Sequence, residues 1–352
     1  MSQSKKLAAL AGAALFALAG AQPASAQALR VVATFSIIGD LARQVGGDRI
    51  ALTTLVGPDS DAHTYEPRPA DLKAIGTADV ILANGLDMEG FLPGLIQAGG
   101  AKAPITALTD GVELRLNQSG SESPAHAHEA HDHDAHDHDA HDHEAHHHAE
   151  QDPAHEADPG HAADSHDRAH AHHAHGKYDP HAWQSVPNAR IYVGNIAKAF
   201  CAADRQGCPV YEAHARAYDE KLRALQTQIA ENFARIPADR RTIITPHDAF
   251  GYFAREYGFK FEAPQGMSTD SQASAAGLAT LVKQVKDEKA AALFLENISN
   301  PRLVEQISSE TGLKVGGKLY SDALSSADGP ASTYIDMMRH NAATITDAIL
   351  AR

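Results

Sequence analysis

Three histidines and one aspartate occupy positions at which their side chains could hold a metal ion. His63, His247 and Asp322 each follow a predicted strand, and His181 lies between a His-rich run and a predicted helix. Three imidazoles and one carboxylate form a donor set of borderline softness that suits Zn²⁺. Four protein ligands would complete the coordination shell. The pattern therefore favours metal binding or carriage over catalysis, which needs an open position for water.

Two features of the sequence leave this assignment open to alternatives. A lone histidine is more often a core or surface residue than a ligand, and His214 and His340, within predicted helices, are expected at the surface. Asp61 lies two residues before His63 and competes with Asp322 as the carboxylate ligand. We expect Asp322 to complete the site and keep Asp61 as the alternative.

A secreted zinc hydrolase is a second functional class that the same histidines would allow. It would need an open coordination position and a general base, for which Glu66 or Asp248 could serve. No spacing in the sequence resembles the His-Glu-x-x-His pattern of zinc proteases. The sequence therefore favours a binding protein.

The elements that would position these side chains alternate between strand and helix. Short apolar or β-branched runs predict eight strands, at 29–35, 51–56, 80–83, 105–108, 242–245, 259–262, 291–295 and 314–319. Segments with helical spacing separate most of them, which predicts βαβ units and mainly parallel sheets. In such sheets the ligand crevice lies outside the carboxyl ends of the strands. His63, His247 and Asp322 are all expected there.

A long helix is predicted between the two series of strands. Residues 211–236 contain neither proline nor glycine, and apolar residues such as Leu222, Leu225 and Ile229 recur at helical spacing. At 1.5 Å per residue this helix would span roughly 39 Å. It is long enough to run beside two domains and join them.

The charge and most of the histidines are concentrated in one segment. Residues 126–175 contain 18 of the 23 histidines, and residues 118–177 carry a net charge of −12 out of the total of −15. This segment has almost no apolar residue larger than alanine, so we predict that it is disordered and binds several metal ions weakly. The rest of the chain carries about −3 and gives no indication of nucleic-acid binding.

The beginning of the chain and its two cysteines both indicate export. Lys5 and Lys6 precede a short apolar run and an Ala-Ser-Ala sequence that ends at Ala26, as in a secretory signal peptide covering 1–26. No cysteine lies at the cleavage point, so a lipid anchor there is not expected. In an oxidising compartment Cys201 and Cys208 are expected to form a disulfide.

Several blocks of sequence resemble the zinc- and manganese-binding solute-binding proteins of ABC importers. The resemblance covers nearly all of residues 29–352, and the DPHAW and HDAFGYF blocks are fairly specific. The matching blocks are VVATFSIIGDLARQVGG, DAHTYEPRPADL, YDPHAWQSVPNA, HDAFGYFAREYG and GGKLYSDALS. The resemblance implies an α/β fold of two Rossmann-like lobes, joined by a long rigid helix, with one metal ion in the cleft.

The same resemblance implies a ligand set and transport partners. Its motifs place the metal ligands at His63, His181, His247 and Asp322. Zinc members of the family have histidine at the third position, where manganese members usually have a carboxylate, so His247 implies Zn²⁺. An acidic His-rich insertion before the second ligand is also typical of zinc members. The implied partners are an inner-membrane ABC permease with its cytoplasmic ATPase, and in some systems a periplasmic zinc chaperone.

The resulting prediction is a monomeric periplasmic protein that binds Zn²⁺ and delivers it to a permease. Its predicted parts are a signal peptide (1–26), an N-terminal lobe (27–186), linking helices (187–237) and a C-terminal lobe (238–352). The His-rich segment at 118–177 belongs to the N-terminal lobe. A zinc buffer or chaperone without a permease remains an alternative function.

Overall fold

The computed structural model describes residues 28–117, 176–270, 273–288 and 290–351. The predicted signal peptide at 1–26, residues 118–175 of the His-rich segment and the disorder predicted for them lie outside these residues. The described part of the chain forms two α/β lobes, each built on a four-stranded parallel sheet.

The first lobe contains the strands and helices predicted in the first part of the chain. They are β1 (Leu29–Phe35), α1 (Ser36–Gly46), β2 (Ile50–Val56), α2 (Pro69–Thr77), β3 (Val80–Ala83), α3 (Leu92–Gly99) and β4 (Ile105–Ala107). The sheet has the order β2-β1-β3-β4. Six of the seven side chains of β1 are buried, and β3 is buried throughout, as expected for central strands covered on both faces.

Local sequence sets the ends of the short helices in this lobe. Pro69 stands in the first turn of α2, and the Arg68 backbone N–H donates to the Asp71 carboxylate at 2.7 Å, which caps the helix. Helix α3 ends at Gly100, whose φ of 61° is the left-handed conformation that glycine adopts without strain. Because helices α2 and α3 end after two or three turns, the chain returns to the sheet.

Two helices follow the His181 turn and lead to the second lobe. They are α4 (Val186–Ala203) and α5 (Cys208–Ala234). The structure contains the predicted disulfide between Cys201 and Cys208, whose Cα atoms are 4.4 Å apart across the turn. Helix α5 has 27 residues and so spans about 40 Å at the usual rise per residue.

The second lobe repeats the topology of the first. Its elements are β5 (Thr242–Ile244), α6 (Gly251–Tyr257), β6 (Lys260–Glu262), α7 (Ala275–Glu288), β7 (Ala292–Glu296), α8 (Pro301–Thr311), β8 (Val315–Leu319) and α9 (Tyr334–Leu350). The sheet order is β6-β5-β7-β8, so in both lobes the second strand lies beside the first and the third and fourth follow on the other side.

The long helix α5 connects the two lobes by packing against both. It contacts α1 in the first lobe and α9 in the second. Its buried residues Tyr218, Leu222 and Ile229 belong to a hydrophobic core that also includes Phe35 of β1 and Tyr334 of α9. The predicted fold class, two parallel α/β lobes joined by a long helix, is confirmed. The boundaries of the predicted parts of the chain stay a prediction.

No helix within the described ranges has both the length and the apolar character that a membrane crossing requires. The long helix α5 illustrates this, because charged residues cover the faces that do not meet the lobes. What holds the lobes together is their shared core and the contacts around the cleft.

Candidate metal centre

The four candidate ligands lie together between the lobes. The donor atoms of His63, His181, His247 and Asp322 are all within 4.8 Å of one another. Asp322 stands at the centre of the group: its Oδ2 is 3.1 Å from His247 Nε2 and 3.3 Å from His63 Nε2, and its Oδ1 is 3.8 Å from His181 Nε2. All three imidazoles thus direct the same ring nitrogen, Nε2, towards one point.

The fold explains why residues so far apart in sequence converge. His63 follows β2, His247 follows β5 and Asp322 follows β8, each beyond the carboxyl end of its strand. His181 lies in the turn just before α4. The carboxyl ends of both sheets face the cleft, which is where open α/β sheets bind ligands.

A buried carboxylate supports His181 from behind. Asp179 Oδ1 accepts the backbone N–H of His181 and lies 2.9 Å from its Nδ1, and both side chains are fully buried. A carboxylate at Nδ1 selects the tautomer that leaves Nε2 free to accept a metal and fixes the plane of the ring. Burial alone would raise the pKa of Asp179, but the bonds from His181 lower it.

Glu296 contacts His247 at two points, as an ion-pair partner of Nδ1 and as the acceptor of the His247 backbone N–H at 3.3 Å. Its Oε2 is 2.5 Å from His247 Nδ1, and the Ser321 hydroxyl donates to that oxygen at 2.8 Å. Ser321 directly precedes Asp322, so Glu296 contacts one candidate ligand, His247, and the residue next to another. Glu296 is the last residue of β7, at the same end of the sheet as the site.

Hydrogen bonds to the Ser321 carbonyl tie the His181 turn to the second lobe. Trp183 Nε1 donates to this oxygen at 2.9 Å and Gln184 Nε2 donates to it at 2.6 Å. The Trp183 ring also packs 5.3 Å from the His181 ring, centroid to centroid. His181, His247 and Asp322 are therefore held in one continuous buried network.

His63 is positioned by a different set of contacts. Its backbone N–H donates to Asp61 Oδ1 at 2.9 Å, and Asp61 Oδ2 accepts the Thr269 hydroxyl from the second lobe at 2.5 Å. The Asp59 backbone N–H also donates across the cleft to the Leu324 carbonyl. Both oxygens of Asp61 are thus engaged away from the imidazoles, and the structure places Asp322 among them instead.

The buried charges of the centre shift the pKa values of two candidate ligands in opposite directions. Burial would lower the pKa of His247, but Glu296 and Asp322 raise it well above its usual range. Burial would raise the pKa of Asp322, but His247 and His181 hold it well below its usual range. A proton on His247 thus partly neutralises the buried carboxylates, as a bound cation would.

Unsatisfied buried atoms also point to a cation. His63 Nε2, His181 Nε2 and Asp322 Oδ1 are buried without a hydrogen-bond partner in the described part of the chain. Leaving such atoms unpaired costs about 1–3 kcal/mol each. One divalent ion at their common centre would satisfy all three, so these residues fit a metal.

The supporting residues are what sequence reasoning missed. Asp179 stands in the DPHAW block, two residues before His181, and this spacing was the available signal. Glu296 and Ser321 gave none, because a strand-terminal glutamate and a loop serine are common. Of the proposed bases, Glu66 is exposed, and burial raises the pKa of Asp248.

The two remaining histidines lie elsewhere. His214 Nδ1 is 3.0 Å from the Val45 carbonyl, and His340 Nε2 is 2.9 Å from the Lys318 carbonyl. Both are partly exposed rather than fully at the surface, and each contacts a backbone carbonyl. Neither belongs to the metal centre.

A groove between the lobes leads to His63. It has a volume of about 780 Å³ and is lined from the first lobe by residues around Asp87 and from the second by Met267 and Asp270. Asn117 and Gly176, which flank residues 118–175, also line it. His63 is the one candidate ligand on this groove, and its side chain is 6% exposed, against 0% for the other three.

Residues 31–348 match the family model for ZnuA, described as "Zinc-uptake complex component A periplasmic". The chain belongs to this family. ZnuA-family proteins are periplasmic metal-binding substrate-binding proteins of ABC transporters, as the resemblance in the sequence blocks implied. The match spans both lobes and all four residues of the centre.

Relatives of the chain carry names with different metals. The manganese-binding lipoprotein MntA of Bacillus subtilis is 30% identical, covering 96% of each chain. The iron-binding protein YfeA of Yersinia pestis is 28% identical, covering 91% of this chain and 86% of its own.

Solved structures share the fold over the same extent. A manganese-bound periplasmic metal-binding protein from Candidatus Liberibacter asiaticus is 27% identical, with a TM-score of 0.69. The periplasmic zinc-binding protein TroA from Treponema pallidum is 25% identical, with a TM-score of 0.71. In both comparisons the match covers 91% of this chain and 98% of the other. The family is thus shown, while the metal differs among its members.

Proposed function

We propose that this chain is a periplasmic zinc carrier that binds one Zn²⁺ as cargo and delivers it to an ABC permease. The ligands in this proposal are His63, His181, His247 and Asp322. The observation that supports it most directly is the convergence of three imidazole Nε2 atoms and one carboxylate within 4.8 Å. The ion would be held by side chains from both lobes, which suits a site that traps and releases its cargo.

The donor set is the reason for proposing zinc. Three nitrogens and one oxygen suit Zn²⁺, whereas Mn²⁺ prefers sites richer in carboxylate and water oxygens. His247 supplies the third nitrogen, and Glu296 contacts its far side and lies outside the group of ligand atoms. The manganese and iron in the names of MntA and YfeA make this the point that most needs a test.

Competition between metals tests this proposal. Purified protein is stripped with a chelator, dialysed against equal concentrations of Zn²⁺ and Mn²⁺, and analysed for bound metal. We expect one tightly held Zn²⁺ per chain and little Mn²⁺, following the Irving–Williams order. His340→Ala is the matched control, because His340 lies outside the centre. A protein filled with manganese would overturn the assignment to zinc.

A crystal grown with zinc would test the ligands separately. Anomalous scattering at the zinc edge should locate one ion within bonding distance of the three Nε2 atoms and Asp322. Zinc bound by Asp61 instead would contradict the ligand set. The competition experiment thus tests which metal is bound, and the crystal structure separately tests which residues bind it.

Delivery to a permease is proposed from family membership. The partners would be an inner-membrane permease and its cytoplasmic ATPase, with the chain acting as a monomer that carries no catalytic activity. In a strain lacking the chain, zinc uptake under chelation should be restored by the wild-type gene and not by His181→Ala. Restoration by that variant would show that zinc held by His181 is not needed for uptake and would contradict the proposal.

A further inference from the structure

Residues on either side of the His-rich segment form a short antiparallel ladder that ends at the metal centre. Leu116 pairs with Tyr178, Asp179 N–H donates to the Arg115 carbonyl at 2.9 Å, and Asn117 N–H donates to the Lys177 carbonyl at 3.0 Å. Two residues beyond this ladder is His181. The ladder therefore fixes the backbone that carries one of the proposed ligands.

A side-chain ion pair crosses the same ladder. Arg115 Nη1 donates to Asp179 Oδ2 at 2.7 Å, with the Arg115 side chain 21% exposed and Asp179 fully buried. The other oxygen of Asp179 contacts the backbone N–H and Nδ1 of His181. One oxygen of Asp179 thus contacts Arg115 and the other contacts His181. The Asp179 carboxylate therefore cannot rotate without breaking a charge-assisted hydrogen bond.

The second lobe completes this arrangement through helix α6. Tyr252 Oη accepts the Arg115 backbone N–H at 3.0 Å and donates to the Asp179 carbonyl at 3.1 Å. Gly251, the first residue of α6, lies against the ion pair. A Cβ atom at this position would lie 1.5 Å from Arg115 Nη1 and 2.5 Å from Asp179 Oδ2.

We propose that Arg115 is a positioning residue for His181, and that Gly251 is required because only glycine leaves space for the guanidinium group. Arg115 holds the Asp179 carboxylate, and Asp179 in turn directs His181 Nε2 towards the ion. Because α6 begins four residues after His247, the same contact joins the support of His181 to the segment of the second lobe that carries His247. This inference rests on the proposed metal centre.

Removing the arginine should weaken zinc binding without removing a ligand. For Arg115→Met we expect zinc affinity to fall about 10- to 100-fold, the usual effect of losing a residue that supports a ligand. Arg115→Lys should recover part of this loss, since it keeps the charge but not the geometry of the guanidinium group. Equal affinity in Arg115→Met and the wild type would overturn the proposal.

Gly251→Ala provides a test that keeps every charged group. The added methyl should displace the flexible end of Arg115 into solvent and weaken zinc binding to a similar degree. The double variant should be no weaker than the weaker single variant, because both substitutions remove the same ion pair. Losses that multiply in the double variant would show that the two residues act separately and would refute the proposal.

A matched control and a spectroscopic signal separate positioning from general damage. Arg255→Ala removes another contact between α6 and the ladder region, the hydrogen bond and ion pair of Arg255 with Glu113 at 3.1 and 3.7 Å. It also removes the contact of Arg255 with the Tyr252 ring at 5.1 Å, but it leaves both hydrogen bonds of Tyr252 and the Arg115–Asp179 pair in place. We expect it to bind zinc like the wild type. With Co²⁺ as the probe, the visible absorption of the bound ion should change in Arg115→Met and Gly251→Ala and stay unchanged in Arg255→Ala.

The outcome for His181→Ala tells the two proposals apart. If that variant binds zinc normally, the proposed metal centre is wrong. If it fails to bind while Arg115→Met, Gly251→Ala and their cobalt spectra match the wild type, the centre stands and the positioning role is wrong. Circular dichroism of each ion-free variant verifies that it is folded.

Discussion

The two parts of the metal centre differ in how firmly they are built. His181 and His247 each have a buried carboxylate at Nδ1, and both are fully enclosed together with Asp322. His63 has no carboxylate partner other than Asp322 among the ion pairs of the described residues, and its side chain borders the groove between the lobes. Its loop is held by Asp61 and Thr269.

His181, His247 and Asp322 therefore form a preorganised part of the site, and His63 forms an accessible part. The enclosed ligands keep their geometry because their supports are bonded to one another through Ser321. His63 depends on a loop with contacts near the surface, and surface bonds contribute less free energy than buried ones. Substitutions in the two parts should therefore have effects of different size, and this ranking can be measured.

The largest effect is expected on removing an enclosed ligand. His181→Ala or His247→Ala should weaken zinc binding by more than the ~100-fold that the loss of a supporting residue can cause. In His247→Ala the carboxylates of Glu296 and Asp322 would also lose their partner. Titration against a competing chelator measures the affinities. His63→Ala should also bind much more weakly than the wild type, but by a smaller factor. A larger loss for His63→Ala would break the comparison.

The supporting carboxylates should show the next largest effect. Glu296→Gln keeps the shape of the side chain but weakens its hold on His247, so we expect a loss of about 10- to 100-fold in zinc affinity. Asp61→Asn, the corresponding change beside His63, should cost only several-fold, as for one hydrogen bond of about 1 kcal/mol. Isothermal titration with zinc compares the two variants. Equal losses would mean that the two parts of the site are supported equally.

How much of this could be foreseen differs between fold and site. The eight strands were predicted to within about one residue at each end, because each is a short apolar or β-branched run and most have glycine, proline or asparagine at one boundary. Helix starts were less clear: α7 begins at Ala275, in a short run of alanine and glycine that carries no apolar pattern. Such ends are decided by packing rather than local sequence.

The four candidate ligands were also named from the sequence, because loops after parallel strands share one edge of a sheet. Their supports were not. The pairing of Arg115 with Asp179, and of Glu296 with Ser321, joins residues 64 and 25 positions apart through tertiary contacts. The steric role of Gly251 depends on a guanidinium group from the other lobe. Apart from the position of Asp179 two residues before His181, spacing in the chain indicates none of these contacts.

The pH dependence of zinc stabilisation should distinguish the protonated centre from the metal-bound one. Without metal, the raised pKa of His247 contributes stability that is complete below about 6.5 and is lost as pH rises through the raised value. The lowered pKa of Asp322 contributes stability that is present above about 3.9 and is lost as pH falls through the lowered value. Zinc instead needs neutral imidazoles.

The increase in melting temperature on adding zinc should therefore be smaller at pH 5.5 than at pH 8, by a few degrees for each tenfold change in affinity. Differential scanning calorimetry of the wild type and His247→Gln measures it. The variant should bind more weakly at both values and show a smaller difference between them, since the proton that competes most strongly is gone. An increase that is the same at both pH values would contradict the role of His247.

The smallest effect on the tight site is expected from removing the His-rich segment. Residues 118–175 lie outside the described part of the chain, but the pairing of Leu116 with Tyr178 brings their ends together. A short glycine-serine link between Asn117 and Gly176 should therefore close without strain, and loop length alters stability only logarithmically. Because the four ligands and the Arg115–Asp179 pair all remain, we expect one tight zinc with unchanged affinity, whereas the weaker additional ions should be lost.

Isothermal titration of the two forms separates these events. Loss of the tight event would mean that the segment supplies a ligand to the centre, and an unchanged total number of ions would mean that the segment binds no zinc.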